Sequence, residues 1–532
     1  MTKIVIDLTP VLPGGENGGA KSFALELVKQ LSILAPQDEF IILTSYKSHT
    51  ELSFLDTHNV SRICTVLPQK TQSSFRLFLK KIISYLKRCL FKKAAPSAQE
   101  KKLNQLKPDL LFCPFTAPFY FTLNIPIISV IYDLQYLEYP YFFSSYEQQE
   151  RDGHFRSACQ KADFLICISE FTRQAVSKAN ANHKKTYNPQ KITTIPIYIT
   201  KNEPSEIRNS SKYENFLLYP ANFWPHKNHK MLFIAFSIYC KSNPQSTLKL
   251  ICPGVSNENQ LMLTAALESM QIQNRVILPG YVSAKELHTL FDTCKALIYP
   301  SLYEGFGIPI IEAMLLKKPV LCSKIASLPE IAKDFAIYFD PRKPKEIAKT
   351  IEEIDFWNPT NSNDIQEKIQ LGYINAQQYV GTEKMAAAYY SIFQKVLNES
   401  PSSTSQKIIT HGFFEDGWIG KEVVVHYPPS KHLRSIEITC YCPAWHPKKK
   451  IHIEITEKNN VHFNNSTYIL EAGETYTINH PISTLKSTLT LTIKKGIFRP
   501  KSHNMGEDTR WIGCLCKSCE MIFDNQRINL LQ

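Results

Sequence analysis

The sequence predicts two doubly wound α/β domains facing one another across a cleft, followed by an all-β sandwich or jelly-roll domain. Three observations carry this. Short apolar runs alternate with helical periodicity from the start to about residue 200, and the same alternation begins again near 215. Beyond the polar run 398–406 the hydrophobic period changes to two, the pattern of half-buried antiparallel strands. Strands joined by helices require a mostly parallel sheet covered on both faces. The expected division is 1–200, 201–398, a linker over 399–408, and 409–532, with the final helix of the second domain able to return to the first.

In the first domain strands are expected over 3–7, 40–44, 109–113, 127–131 and 164–168, with helices over 19–34, 158–161 and 170–181. Ser169 stands where an N-cap belongs for the last of these. The second series places strands over 216–219, 248–252, 275–278, 296–299, 319–322 and 336–339. The polar stretch 201–212 marks the junction between the two. In the β domain, period-two runs fall at 421–426, 435–441, 450–456, 475–478 and 488–493.

At 532 residues, 43% apolar and 20% charged, the chain is too long for one core and too apolar to be disordered. Met1 to Leu8 reads as a strand, so no secretory leader is expected, and no apolar run reaches the length of a spanning helix. The formal charge of +13 suits an anionic partner. Zinc-finger spacing and basic-zipper patterns are absent, and the aromatics are dispersed over core strands, so nucleic acid is not expected. The fourteen cysteines are too scattered for a disulfide scaffold, and Cys167, Cys252 and Cys322 lie in strand-like runs. A reducing cytoplasm is the expectation.

The segment 301–312 reads SLYEGFGIPIIE. Glu304 and Glu312 are separated by a glycine turn and by Pro309, a residue suited to a first helical turn. One carboxylate therefore sits in a loop and the other on the helix that follows. Gly305 and Gly307, flanking Phe306, let backbone N–H groups approach an anion closely, and the helix start favours negative charge. Upstream, 224–229 reads WPHKNH, and Lys227 opens a helix-like run after a strand, where an ammonium can meet a diphosphate. Near the start, PGGENGG at 13–19 joins a strand to a helix, a weak anion signal on its own.

These motifs, with DLQYLEYP at 133–140 and ICISEFTR at 166–173 in the same order, resemble glycosyltransferase family 4, the retaining nucleotide-sugar transferases of GT-B fold. The resemblance covers about 1–395. It implies that Glu304 contacts donor-sugar hydroxyls and Glu312 the ribose hydroxyls. Lys227 would compensate the diphosphate, and Gly18 and Gly19 would lie over the donor phosphates. Two positions depart from the family pattern. Asn222 stands where an Arg is common, so a neutral donor replaces a positive charge. Tyr132 stands where a His usually precedes Asp133 in the active site. Tyrosine donates a hydrogen bond but is a poor base, its ordinary pKa being about 10. Asp133 is expected at the polar end of the sugar site, and Glu138 toward the acceptor. No metal site and no cofactor are expected beyond the nucleotide-sugar, a GDP- or UDP-sugar, as substrate.

The segment 75–93, FRLFLKKIISYLKRCLFKK, holds seven basic residues and no acidic one. On a helix its apolar and basic residues separate, as in helices that lie in an anionic bilayer interface. The ordinary alternative is a helix covering the first sheet. The ends of the last domain, HGFFEDGWIG at 411–420 and FRPKSHNMGEDTRWIG at 498–513, resemble a β-sandwich accessory domain appended to bacterial polysaccharide-synthesis transferases. Trp418, Trp445 and Trp511 are candidate stacking platforms or core packing. Cys440, Cys442, Cys514, Cys516 and Cys519 read as strand-face thiols rather than a zinc site.

The expectation is a bacterial retaining hexosyltransferase at the inner face of the cytoplasmic membrane, adding a sugar to a growing lipid-linked glycan such as O-antigen. The His-Lys-Asn motif resembles that of enzymes using GDP-mannose, and this resemblance favours mannose from GDP-mannose. The alternatives are a non-catalytic carbohydrate-binding or scaffolding protein on the same fold, and a transferase acting on a soluble sugar. Hydrolysis is a weaker reading, because no carboxylate pair at glycosidase separation is legible.

Overall fold

The computed structural model describes residues 1–14, 17–67, 98–121, 125–182, 191–200, 213–255, 259–358, 363–398, 409–413, 418–426, 433–458, 463–482, 488–495, 497, 514–524 and 527–529. The basic segment 75–93, the junction 201–212, the linker 399–408 and Trp511 lie outside the described residues. Two compact units divide the chain, the first holding most of both α/β domains and the second holding 398–532 together with 121–126 and 183–186.

The first sheet is parallel and seven-stranded, in the order β3-β2-β1-β4-β5-β6-β7. Its strands are β1 (Lys3–Asp7), β2 (Glu39–Ser45), β3 (Val60–Val66), β4 (Leu110–Cys113), β5 (Ile127–Ile131), β6 (Phe164–Cys167) and β7 (Ile192–Thr194). The second is parallel and six-stranded, β10-β9-β8-β11-β12-β13. It comprises β8 (Phe216–Leu218), β9 (Lys249–Ile251), β10 (Val276–Ile277), β11 (Ala296–Tyr299), β12 (Val320–Ser323) and β13 (Ile337–Phe339). In both sheets the order reverses beside the first strand of the series, between β1 and β4 and between β8 and β11. Loops leaving the carboxyl ends at such a reversal diverge and leave a crevice.

The inner strands are apolar because helices cover both faces; Ile127–Ile131 and Ala296–Tyr299 are buried at every position. The helix Gly19–Leu34 has the expected bounds. The helix expected only at 158–161 begins at Ser145 and ends at Lys161. Its first three turns, SYEQQERDGHFRS, bury few side chains and so give no apolar stripe. The legible signal there is a capping box, Ser144 with Glu147. The strand Val60–Val66 and the helix Ala98–Leu106 also went unread: the strand lies at the sheet edge and the helix is strongly polar.

The last helix of the unit, Thr382–Asn398, returns to the first domain. Thr382 Oγ1 donates to Glu26 at 3.1 Å and Tyr390 Oη to Asp38 at 2.7 Å. The Phe393 ring lies 5.1 Å from Phe112 and the Tyr389 ring 5.9 Å from Phe23.

The second unit is an antiparallel sandwich. One sheet runs β14-β15-β20-β17-β18 and the other β19-β16-β21-β22. These strands are β14 (Ile409–Phe413), β15 (Ile419–His426), β16 (Leu433–Tyr441), β17 (Lys450–Lys458), β18 (Phe463–Glu471), β19 (Thr475–Pro481), β20 (Thr488–Lys495), β21 (Leu515–Phe523) and β22 (Arg527–Asn529). The two inner faces share a core of their own, with Ile436, Ile438, Ile453, Ile455 and Leu491 all buried. Cys440 faces Cys516 across β16 and β21, and every described cysteine is a free thiol. Trp445 is 55% exposed, and its ring lies 5.7 Å from Trp418. Among the described residues no helix is long and apolar enough to cross a membrane.

Candidate functional site

Lys227 follows β8 and Glu304 follows β11, and these strands are hydrogen-bonded neighbours at the reversal of the second sheet. Topology thus brings together two residues 77 positions apart: Lys227 Nζ lies 2.6 Å from Glu304 Oε1, with both side chains only 11% exposed. Lys227 Nζ also donates to Tyr299 Oη at 3.3 Å, and the Tyr299 hydroxyl bonds to Glu304. Tyr219 Oη donates to the Lys227 carbonyl at 2.5 Å and meets Ser301 Oγ at 3.3 Å. Neither tyrosine is marked by the sequence pattern, where each reads as the apolar end of a strand, and Ser301 opens the 301–312 motif with no role assigned to it.

Burial alone pushes the Glu304 carboxyl up, but the Lys227 ammonium, His226 and hydrogen bonds from Lys227 and Ser301 hold it below the usual carboxylate value. Burial beside Lys227 drives His226 down to about 4. Lys227 is therefore the counter-charge at neutral pH. His229, the last residue of the 224–229 motif, is core: it is buried against the rings of Tyr219, Phe223 and Phe233, and that burial pushes it down to about 3.

The glycine turn after Glu304 is shaped by close approach. A side chain at Gly305 would place its Cβ 2.2 Å from the Tyr132 carbonyl oxygen, and Gly307 takes a φ of +119° to start the helix Ile308–Leu315 with Pro309 in its first turn. Ser327 Oγ donates to the carbonyls of Glu304 and Phe306, each at 2.9 Å, pinning the turn from behind. Glu312 lies one turn into that helix. Its carboxyl has no compensating partner, and burial raises it to about 7.

The first domain closes over this turn. Gly18, at φ +55°, lies against Trp224, and Gly19 against Ile308, so that a Cβ at either would touch the second domain at 3.4 and 3.3 Å. The glycine loop is tied down by Lys21, whose Nζ donates to the carbonyls of Leu12 and Gly14, each at 2.9 Å, and pairs with Glu51 at 2.6 Å. Asp133 accepts from the Gln135 N–H at 2.9 Å, and burial raises its carboxyl; Lys227 and Glu304 both lie within electrostatic reach.

Tyr132 is placed differently from a residue that touches substrate. Its ring packs on Phe23 and Phe115, 5.8 and 6.2 Å between centroids. Its hydroxyl is buried with no hydrogen-bond partner, and burial pushes it far up. The expected role as a hydrogen-bond donor to sugar is not supported by this packing, and the backbone carbonyl is the part that matters. Thr172 Oγ1 donates to it at 3.1 Å, beside Gly305. Asn222 Oδ1 accepts from Val255 N–H at 2.9 Å, which leaves the amide nitrogen as the end able to donate toward an anion.

A further contact between the domains was unread in the sequence. The Glu330 carboxylate accepts from the N–H groups of Glu170 and Phe171 at 2.8 and 2.9 Å, at the start of the helix Glu170–Asn182. Ser169 Oγ caps the same turn through Thr172 N–H at 3.1 Å. Among the described residues no cluster of three or more His, Cys, Asp or Glu side chains is arranged to hold a metal ion.

Residues 200–355 match the family described as glycosyl transferases group 1. The O-antigen chain mannosyltransferase B of Escherichia coli is 24% identical over 228 residues, 42% of this chain and 60% of that protein. The O-antigen chain mannosyltransferase RfbU of Salmonella typhimurium is 29% identical over 197 residues, 37% of this chain and 54% of that one. The chain thus spans little more than half the length of these relatives. Among solved structures, HepE of Anabaena in complex with UDP and glucose superposes with a TM-score of 0.53 at 17% identity, covering 74% of this chain and all of that one. WaaG, a glycosyltransferase involved in lipopolysaccharide biosynthesis, gives 0.53 at 13%, covering 75% of this chain and all of that one. This chain is therefore a GT-B-fold relative of the group 1 glycosyl transferases, carrying an additional antiparallel β domain.

Proposed function

We propose that this protein transfers a hexose from a nucleotide-sugar to a growing bacterial glycan, with retention at the anomeric carbon. The observation that carries this is the buried Lys227–Glu304 pair at the reversal of the second sheet, beneath the Gly18–Gly19 turn. In the donor complex the Lys227 ammonium turns from Glu304 to the diphosphate, and Asn222 Nδ2 and the amides of Gly18, Gly19 and Gly305 to Gly307 supply neutral donors. Glu304, released, accepts from hydroxyls of the transferred sugar, Glu312 accepts from the ribose, and Asp133 lines the sugar end.

The acceptor oxygen attacks the anomeric carbon, the bond from that carbon to the phosphate oxygen breaks, and the departing diphosphate takes the acceptor proton. No protein base is needed, which accommodates Tyr132. The names of the two O-antigen relatives support mannose and an O-antigen-like glycan as acceptor. Beyond those names, we propose that this acceptor is lipid-linked, that the protein works at the inner membrane face, and that the basic, apolar-faced sequence 75–93 is the membrane contact.

A panel of GDP- and UDP-sugars, offered with extracted lipid-linked glycans and with small sugars, tests this by mass spectrometry of released nucleotide and product. Transfer from one donor is expected, and Glu304→Gln and Lys227→Ala should each reduce it at least about a hundredfold. Donor binding without product from either acceptor class would instead make the protein a non-catalytic binder. Product on small sugars alone would remove the lipid-linked acceptor.

A further inference from the structure

We infer that the aromatic strip Tyr139–Phe142–Tyr141, which runs from Tyr303 to the surface of the first domain, is a binding subsite for the glycan acceptor chain. Its part in transfer rests on the function proposed above, whereas the binding of glycan does not. The strip begins beside Glu304. Tyr303 is buried and meets Tyr139 edge-on, 6.1 Å between centroids and 78° between planes. Tyr139 stacks flat on Phe142 at 5.4 Å and 7°, and Tyr141 abuts Phe142 at 4.7 Å. The outer end is open: Tyr141 is 72% exposed.

Single exposed aromatics are ordinary, but a contiguous run that leads out of a candidate site marks recognition. Pyranose rings present a C–H face that lies on an aromatic ring and hydroxyls that need polar partners at the rim. Both are here. Arg342 of the second domain bonds to the Tyr139 hydroxyl, and Glu138 is exposed on the turn before it.

The strip is also held in place before any ligand arrives. Gln148 Nε2 donates to the carbonyls of Pro140 and Phe143 at 2.8 and 3.0 Å. The Ser144–Glu147 capping box fixes the start of the next helix, and Tyr136 Oη donates to Asp152 at 3.2 Å. Exposed Glu138, Glu147 and Glu150 stand beside Arg151, which lies over the Phe143 ring at 4.5 Å, and Arg342, so the surround is mixed in charge and offers an anionic lipid surface no basic patch; a neutral, polyhydroxylated occupant is favoured.

The test uses the full chain and α-linked mannose and glucose oligosaccharides as probes, with affinity read by saturation-transfer NMR. The parent should bind longer oligosaccharides more tightly than the monosaccharide. Tyr141→Ala should weaken that binding about tenfold and raise the acceptor KM by a like factor while the donor KM stays put. Tyr146→Ala serves as control: Tyr146 is 73% exposed and lies outside the strip. Unchanged binding in Tyr141→Ala, equal loss in both variants, or no binding of any oligosaccharide would overturn the inference. So would loss of flotation with phosphatidylglycerol vesicles in Tyr141→Ala with oligosaccharide binding kept. A protein that binds oligosaccharide through Tyr141 but turns over no donor would sink the transferase reading and leave the subsite standing.

Discussion

Lys227 and Glu304 are each nearly withdrawn from water, so either one left alone is a buried charge without a partner. Such a loss costs about 3–5 kcal/mol, whereas replacing both by neutral groups of similar shape is close to neutral. Lys227→Met should therefore lose about 3 kcal/mol of unfolding free energy, and the pair Lys227→Met/Glu304→Gln should regain most of it by denaturant titration at pH 7. The pH sign follows from the depressed Glu304 carboxyl. In the parent its contribution is complete above the ordinary value of 4.5 and fades only as pH falls below it. In Lys227→Met burial dominates and the sign reverses, so stability falls as pH rises above 4.5. Glu312 already behaves in that sense in the parent. Raised from 4.5 to about 7, it binds a proton more tightly in the folded chain, so stability is highest below 4.5 and declines up to about 7. Glu312→Gln should match the parent at pH 4 and exceed it by about 1–3 kcal/mol at pH 8. At this scale the motif residues were legible because anion chemistry restricts them to few residue types. Tyr299 and Tyr219 were not, since a hydroxyl ending an apolar strand looks like core until the neighbouring strand is known.

The helix Glu170–Asn182 shows how an element is set by both local and distant groups. Its Ser169 cap was readable, because a serine before a helical run has one common use. Its second cap, the Glu330 carboxylate, was not, because that residue lies 160 positions away. Glu330 joins the two domains through charge-assisted hydrogen bonds to a helix start, where a carboxylate is also favoured by the helix dipole. Glu330→Ala should leave the fold intact but cost about 1–3 kcal/mol. Hydrogen exchange should rise at Glu170 and Phe171 and in the 301–307 turn, which Ser327 links to the same helix–turn region. Unchanged protection in both segments would mean that the contact does not hold the domains together. The helix Ser145–Lys161 gives the complementary lesson. It was mostly missed because a helix that buries few side chains has no stripe, and only its capping box announces it. Edge strand β3 was hidden for a similar reason, being half-exposed and mixed in polarity.

At the scale of the whole molecule, the alternation of strand and helix and its later change to period two were enough to separate two parallel sheets from a sandwich. Where the last helix goes is a matter of packing. Thr382–Asn398 belongs by sequence to the second domain, yet its buried face, with Tyr389 and Phe393, lies against Phe23 and Phe112 of the first. The two carboxylates that accept from its Thr382 and Tyr390 hydroxyls, Glu26 and Asp38, are also first-domain residues. The sandwich has a hydrophobic core of its own. Two truncations should therefore differ sharply. A chain ending at 398 keeps the last helix with its partners Glu26, Asp38, Phe23 and Phe112 and should unfold cooperatively, with the donor affinity of the full protein. A chain ending at 381 exposes Phe23 and Phe112 and strips two large buried side chains, each worth about 3–5 kcal/mol, from a domain whose stability is about 5–15 kcal/mol. It should be recovered aggregated or without a cooperative transition. Calorimetry of both decides this: a sharp transition in the shorter chain would show that the returning helix is dispensable, and failure of the longer one would mean that the first unit depends on the sandwich.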